Sequence, residues 1–302
     1  MESWREQPLV FWTFLLPGAV WLAAFFLVPL SLIWVLSFGE RAGPVEIVIT
    51  GTLGNYLRAF DPLYLGLLWR SLWVAGIATA AALVIGLPVA LAISFAPPRA
   101  KPLLLLLVIL PFWTNLLIRT YAMIAVLRTQ GYVNFTLEAV WDVAAGTLSL
   151  LGLAALPPFQ PLSLLYSNTA VITGIVYVYL PFMVLPLYAS LERLDRAWLE
   201  ASLDLGAGQV RTFFSIIVPL ARPGIVSGII LVFVPALGTF LISDLLGGPD
   251  SQLIGNVIER QFKAANHWPV GAAMSFVLLY ITFAALALRA WLAGREDARG
   301  RA

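Results

Sequence analysis

The stretch SLWVAGIATAAALVIGLPVALAISFAPP, residues 71–98, carries no charged side chain and then runs into Arg99-Ala100-Lys101. A helix needs about 20 consecutive apolar residues to cross a bilayer. A membrane barrel strand is shorter, roughly 10 residues, and alternates apolar with polar positions. The run is unbroken rather than alternating, so it reads as a membrane-spanning helix that ends in a tight basic turn. Basic turns of this kind collect on the cytoplasmic side.

Further uncharged runs lie at 7–39, 102–118, 143–191, 223–243 and 268–288. Of the 302 residues, 61% are hydrophobic and only 11% charged. A soluble domain carries about 25% charge. With a mean hydropathy of +0.91, the chain has too few charges to cover a water-facing surface of this size. Lipid is therefore the solvent for most of it, and helices are the elements that pair their own backbone groups there. The expected fold is all-α and polytopic, one transmembrane domain over 1–302 with about six spans. These fall at 8–38, 70–96, 102–127, 167–191, 223–246 and 268–291. The first run is too long for a signal-peptide core and reads as an uncleaved anchor. Residues 143–156 are too short to span and end at Pro157-Pro158 and Pro161. They read as an interfacial segment, with a re-entrant loop or an extra span as alternatives.

Six spans with both ends inside put Arg5, Arg99, Lys101, Arg193, Arg196, Arg211, Arg222 and the arginines of the C-terminal tail, Arg301 among them, on one side. The other side holds fewer. Because cytoplasmic flanks collect Lys and Arg, both termini are expected in the cytoplasm. Trp12, Trp69, Trp73 and Trp268 fall near span ends, as interfacial belts require.

Several functions are excluded. Cys is absent, so no disulfide or thiolate site exists. His267 is the only histidine, too few for a metal cluster, and reads as an interfacial loop residue. The net charge of +2 does not point to nucleic acid. No phosphate-cradling Gly-x-x-x-x-Gly-Lys-Ser/Thr sequence occurs. Gly206-Ala-Gly-Gln follows a helical pattern rather than a strand. No catalytic residue and no metal site is assigned, and a membrane enzyme is left without a catalytic set.

The longest charged stretch is LERLDRAWLEASLDLGAGQVRTFFSIIVP, residues 191–219. Asp195 is placed to cap a short helix over 196–205, and Gly206 to stop it. A second helix is expected over 209–218, with Val210, Phe213, Phe214 and Ile217 on one apolar face. Taken alone, an amphipathic linker on the membrane surface and a docking element fit equally well. The spacing decides between them. Glu200-Ala201-Ser202, three residues, Gly206, nine residues, Ile216, one residue and Val218-Pro219 resemble the EAA loop of binding-protein-dependent ABC importer permeases. Ser202 replaces an Ala and Val218 a Leu.

This resemblance implies a type I ABC importer permease in a bacterial inner membrane. It implies that the cytoplasmic loop 192–222 forms coupling helices for a separate ATPase, with Glu200, Ala201, Ser202, Asp204 and Gly206 as the coupling residues. Implied partners are a second related permease, two cytoplasmic ATPase subunits that bind the ATP and Mg, and an extracytoplasmic solute-binding protein. The chain itself would hold no cofactor.

PFWTNLLIRTYAM (111–123), GYVN (131–134), PALGTFLISDLLGG (235–248), IGNVI (254–258) and NHWPVGAA (266–273) are similar to the polyamine importer permeases of B type. That resemblance implies spermidine or putrescine as cargo. Another organic cation, an opine-like compound or ferric iron is the alternative cargo, and an ion-gradient-driven secondary transporter the alternative mechanism.

An ionisable residue at membrane depth is costly and marks function by default. Asn115 and Arg119, four apart, define a polar face of the third span. Arg119 suits a cationic cargo poorly and reads as a brace paired with a carboxylate or with carbonyls. Asp244 lies near the outer end of the fifth span, as a partner for an ammonium group or as a surface cap. Trp113, Tyr121, Tyr177 and Phe240 offer aromatic faces to a cation, as does Tyr179. Glu138, Asp142 and Glu259 would bias the outer entrance negative.

Overall fold

The computed structural model describes residues 8–43, 46–150 and 157–299. Arg5, Arg301 and the 151–156 part of the ambiguous segment lie outside the described residues. The chain is predominantly helical and divides into two compact units, residues 1–65 with 257–302 and residues 66–256.

In the first unit, α1 (Pro8–Leu22) passes through a π-helical turn (Ala23–Leu27) into α2 (Val28–Leu36). No residue of the 27-residue apolar stretch Val10–Leu36 is buried within the chain. Most of its surface, apart from the side of α2 that meets the last helix, is exposed. A short antiparallel hairpin follows, β1 (Gly39–Arg41) on β2 (Ile47–Ile49). Asn55 of α3 (Gly54–Ala59) donates to the carbonyls of Ser37 and Gly39, which anchors the end of the first span to the hairpin. The last helix, α15 (Trp268–Arg299), packs on α2 and α3. Val270 and Met274 meet Ala59 in a small core, and the Trp34 indole donates to the Tyr280 hydroxyl.

The second unit is built on small residues. The long helix α4 (Pro62–Phe95) buries Ser71, Ala75, Ala78, Ala82, Gly86 and Ala90, a stripe at helical spacing. A Cβ at Gly86 would lie 2.9 Å from Met183 Cγ, so α4 lies close against α8 (Asn168–Leu191). Helix α12 (Arg222–Gly238) also packs on α8, through Gly224 and Gly228. A Cβ at Gly224 would sit 2.6 Å from the Pro186 carbonyl oxygen, and one at Gly228 2.6 Å from Met183 Sδ. In lipid there is little hydrophobic drive between helices, so small-xxx-small stripes that let backbones approach supply the packing.

Among the described residues, four helices are long and apolar enough to cross a membrane, and up to six if each of two bent pairs counts as one span. The third expected span is not one straight helix. It runs as α5 (Lys101–Ile109) and a 3-10 turn (Leu110–Trp113), breaks at Thr114-Asn115, and resumes as α6 (Leu116–Leu127); the stretch Lys101–Trp113 is bent 95° from the helical stretch Leu116–Leu148. Thr114 and Asn115 take extended ψ values of 147° and 140°, and Asn115 Oδ1 accepts from the Leu117 amide at 2.8 Å. Asn115 is thus a helix cap, not a member of one face with Arg119.

The fifth span is likewise interrupted. After α12, Thr239 and Phe240 leave helical geometry before α13 (Leu241–Leu246) begins. Residues 143–150 of the ambiguous segment belong to a helix, α7 (Tyr132–Leu150), which starts eleven residues before 143 and carries Glu138 and Asp142. Helix α14 (Ile254–Lys263) completes the order.

Candidate functional site

The loop between α8 and α12 folds as two short helices about a glycine. Asp195 Oδ1 accepts from the Ala197 amide at 3.0 Å, opening α9 (Arg196–Asp204). The helix closes with Gly206 at φ +81°. The Gly206 amide donates to Leu203 O at 2.9 Å and the Ala207 amide to Ser202 O at 3.1 Å. These two bonds form a Schellman stop, which satisfies carbonyls that the helix end would leave orphaned. Next come α10 (Gln209–Thr212), a π turn (Phe213–Ile217) and α11 (Val218–Leu220). Ser202 Oγ and Thr212 Oγ1 stand 2.9 Å apart, a hydroxyl pair that ties the two helices together. Glu200, Ala201 and Asp204 are exposed. So are large apolar side chains beside them: Trp198 at 62%, Leu205 at 89%, Val210 at 73% and Phe214 at 65%.

Above this loop lies a groove of about 500 Å³ between α8 and α12, lined by Pro186, Ser190, Arg193, Trp198, Gly224 and Ser227 among others. A smaller cleft of about 170 Å³ holds Lys101 and Glu192, whose side chains form an ion pair at 2.7 Å. The basic turn 99–101 and the glycine-centred loop therefore meet on one side of the unit. In the sequence, Lys101 is only an orientation signal; what the pairing adds appears only once α4, α5 and α8 are packed.

The residues expected along a solute pathway are partly gathered. Helix α13, bearing the exposed Asp244, packs on α6 and α8. The Asn256 side-chain amide donates to Phe240 O at 3.1 Å and so holds the α12–α13 break in place. Trp113 is 74% exposed and Tyr121 57%, one on each side of the Thr114-Asn115 break. Tyr177 stands apart from these. It lines an apolar groove with Leu104, Leu107, Pro111 and Pro181.

Arg119 departs from its expected role as a brace. It is 7% exposed, yet Nε and Nη1 have no hydrogen-bond partner. Its guanidinium lies 5.9 Å from the centre of the Phe112 ring, with Tyr179 nearby. A planar, weakly hydrated cation tolerates this stacked position better than an ammonium would. Thr239, at the second break, also stands beside Tyr179. Thr239 is uncharged; it lies within the 235–248 stretch, but nothing in that stretch singles it out from its neighbours.

In the first unit, Glu40, Arg41, Asn55, Arg58 and His267 line a polar pocket of about 240 Å³. Burial, and then the Arg58 and Arg41 charges, lower the His267 pKa below 6.5.

The chain was compared with known proteins. The family described as binding-protein-dependent transport system inner membrane component matches residues 7–297. The spermidine/putrescine transport system permease protein PotB of Escherichia coli is 44% identical over 275 residues, 91% of this chain and 94% of the relative. The PotB protein of Haemophilus influenzae is 44% identical over 258 residues, 85% of each chain. The molybdenum transport system permease protein ModB of Azotobacter vinelandii is 27% identical, covering 74% of this chain and 93% of the relative. Among solved structures, a bacterial ABC transporter that imports the acidic polysaccharide alginate shares the fold. It matches with a TM-score of 0.64 at 17% identity, covering 95% of this chain and 98% of that one. Matched across nearly its whole length, the chain belongs to the inner membrane components of binding-protein-dependent transport systems, a multi-pass permease of the ABC importer type.

Proposed function

We propose that this chain is one permease of an ATP-driven importer that takes up polyamines, spermidine or putrescine, by alternating access. The observation that carries the cargo is the 44% identity, over almost the full length, to permeases named for spermidine/putrescine transport. A second, related permease completes the pathway. Two ATPase subunits dock below it, and a solute-binding protein delivers cargo from outside. An alginate transporter of the same fold is known in complex with its solute-bound periplasmic protein.

The glycine-centred loop faces the cytoplasm, as do both termini. Trp198, Leu205, Val210 and Phe214 seat in the ATPase, while Glu200 and Asp204 at the rim set register and orientation. ATP binding closes the ATPase dimer, and the loop moves as a rigid body because the Asp195 cap, the Gly206 stop and the Ser202–Thr212 pair fix its shape. The breaks at Thr114-Asn115 and Thr239-Phe240 are where that motion changes the pathway. Discontinuous helices are the usual place for transporters to build solute sites. Trp113, Tyr121 and Phe240 give aromatic faces to the cargo's ammonium groups, and Asp244 gives a carboxylate.

The test is ATP hydrolysis by the complete complex in nanodiscs, with its binding protein, across spermidine, putrescine and unrelated solutes. Stimulation by polyamines alone is expected. Stimulation by another solute would replace the cargo, and failure to associate with any ATPase would overturn the mechanism.

A further inference from the structure

We infer that Lys101 and Glu192 are a positioning pair that carries displacement of the α9–α10 loop into the broken third span. The inference rests on the importer reading above. Lys101 Nζ meets both carboxylate oxygens of Glu192, at 2.7 and 2.8 Å. Lys101 is the first residue of α5 and Glu192 the first residue after α8. Each charge sits at the helix end where the macrodipole disfavours it, a cation at an N-terminus and an anion at a C-terminus. Neither therefore serves its own helix, and their mutual pairing offsets both penalties. The Lys263–Glu259 pair is different, an i,i+4 contact within one helix, whereas Lys101 and Glu192 are 91 residues apart.

The surroundings fit a mechanical joint. The cleft around the pair is lined by Ser94 and Phe95 from the end of α4, Leu199 from α9 and Ile217 from the π turn. The Lys101 side chain is only 16% exposed. Glu192 lies three residues before Asp195, the cap of α9, so motion of α9 reaches it through a very short link. From Lys101, α5 and its 3-10 turn run uninterrupted to Trp113, and the next two residues are the 95° break. A pull on the base of α5 thus ends at the Thr114-Asn115 hinge, where extended backbone absorbs the change.

The test uses the complete complex in proteoliposomes, with spermidine import and ATP hydrolysis measured together. Lys101→Glu and Glu192→Lys each place like charges in the cleft. Each is expected to lower spermidine imported per ATP about fivefold, within the range produced by mutations along a coupling network. The exchange Lys101→Glu/Glu192→Lys is expected to restore the ratio to within about twofold. Single variants with an unchanged ratio, or an exchange that does not restore it, would overturn the pair. Where a reversed variant fails to co-purify with the ATPase, Lys101→Gln and Glu192→Gln are read by the same ratio: lowered in both supports the pair, unchanged in either refutes it. A wild-type complex without spermidine-stimulated hydrolysis fails before any variant is made; that outcome overturns the polyamine cargo, and a complex that binds no ATPase overturns the importer reading instead.

Discussion

Replacing Gly206 tests the loop without disturbing any packed neighbour. Its φ is +81°, and a Cβ built there finds no atom within 4 Å. Any loss on substitution therefore comes from the backbone, not from a clash. For a residue with a Cβ, the left-handed region costs about 1–2 kcal/mol. At 1.4 kcal/mol per tenfold, this lowers the population of the Schellman-capped loop by roughly 5–30-fold. Asn tolerates the region best and Ala less well. Val adds a branched side chain to the same penalty. The expected order of spermidine imported per ATP is Gly206, Gly206→Asn, Gly206→Ala, Gly206→Val. Membrane insertion and yield should stay constant, because α8 and α12 are untouched. The assay is import and hydrolysis by the complete complex in proteoliposomes. A Gly206→Val complex that imports normally would refute the claim that this stop shapes the docking element. Equal damage from Asn and Val would refute the backbone explanation.

Ser202 and Thr212 should be energetically coupled, since Thr212 is 5% exposed and their hydroxyls pair. A double-mutant cycle with Ser202→Ala and Thr212→Val is expected to give about 0.5–1.5 kcal/mol, read by thermal unfolding; additivity would show that the helices are not locked together. Gly224→Ala drives a Cβ to 2.6 Å from Pro186 O and from Ser190 Cβ, which should cost about 1–3 kcal/mol and lower the melting temperature in detergent. Gly76→Ala, with nothing within 4 Å, should leave that temperature unchanged or raised. His267 has a folded pKa below 6.5, so between that value and 6.5 the unfolded chain binds more protons than the folded one. Stability should fall as pH drops below 6.5, and His267→Gln should flatten that slope when melting temperatures at pH 7.5 and 5.5 are compared.

Most of the fold is legible in one dimension because a bilayer admits few solutions. Uncharged runs beyond 20 residues are long enough for spanning helices, and α4, α8 and α15 each overlap such a run. The loop was legible for a different reason. Asp195 and Gly206 act within a few residues of the helix ends they set, and local hydrogen bonds decide such structure; the single helix expected over 209–218 is instead interrupted by the π turn Phe213–Ile217, which leaves Val210 and Phe214 exposed and Ile217 half-buried in the Lys101 cleft. Two of the spans were misread as continuous. Pro111-Phe-Trp-Thr-Asn and Pro235-Ala-Leu-Gly-Thr-Phe keep the hydropathy of a helix while leaving its geometry, and hydropathy does not report ψ. The reading of Asn115 and Arg119 as one helical face failed with that assumption.

What the amino-acid order determined by itself is what depends on neighbours in the chain and on the solvent: the helices, their lipid exposure, the caps and the glycine stop. Only the tertiary structure decided which polar groups meet. It set Lys101 on Glu192, left the Arg119 Nε and Nη1 without partners against Phe112, and brought Thr239 beside Tyr179. The first and last of these are contacts between residues far apart in sequence, and the Arg119–Phe112 contact reaches across the Thr114-Asn115 break. They depend on how closely α4, α8 and α12 approach through their small residues, and no local pattern encodes that distance.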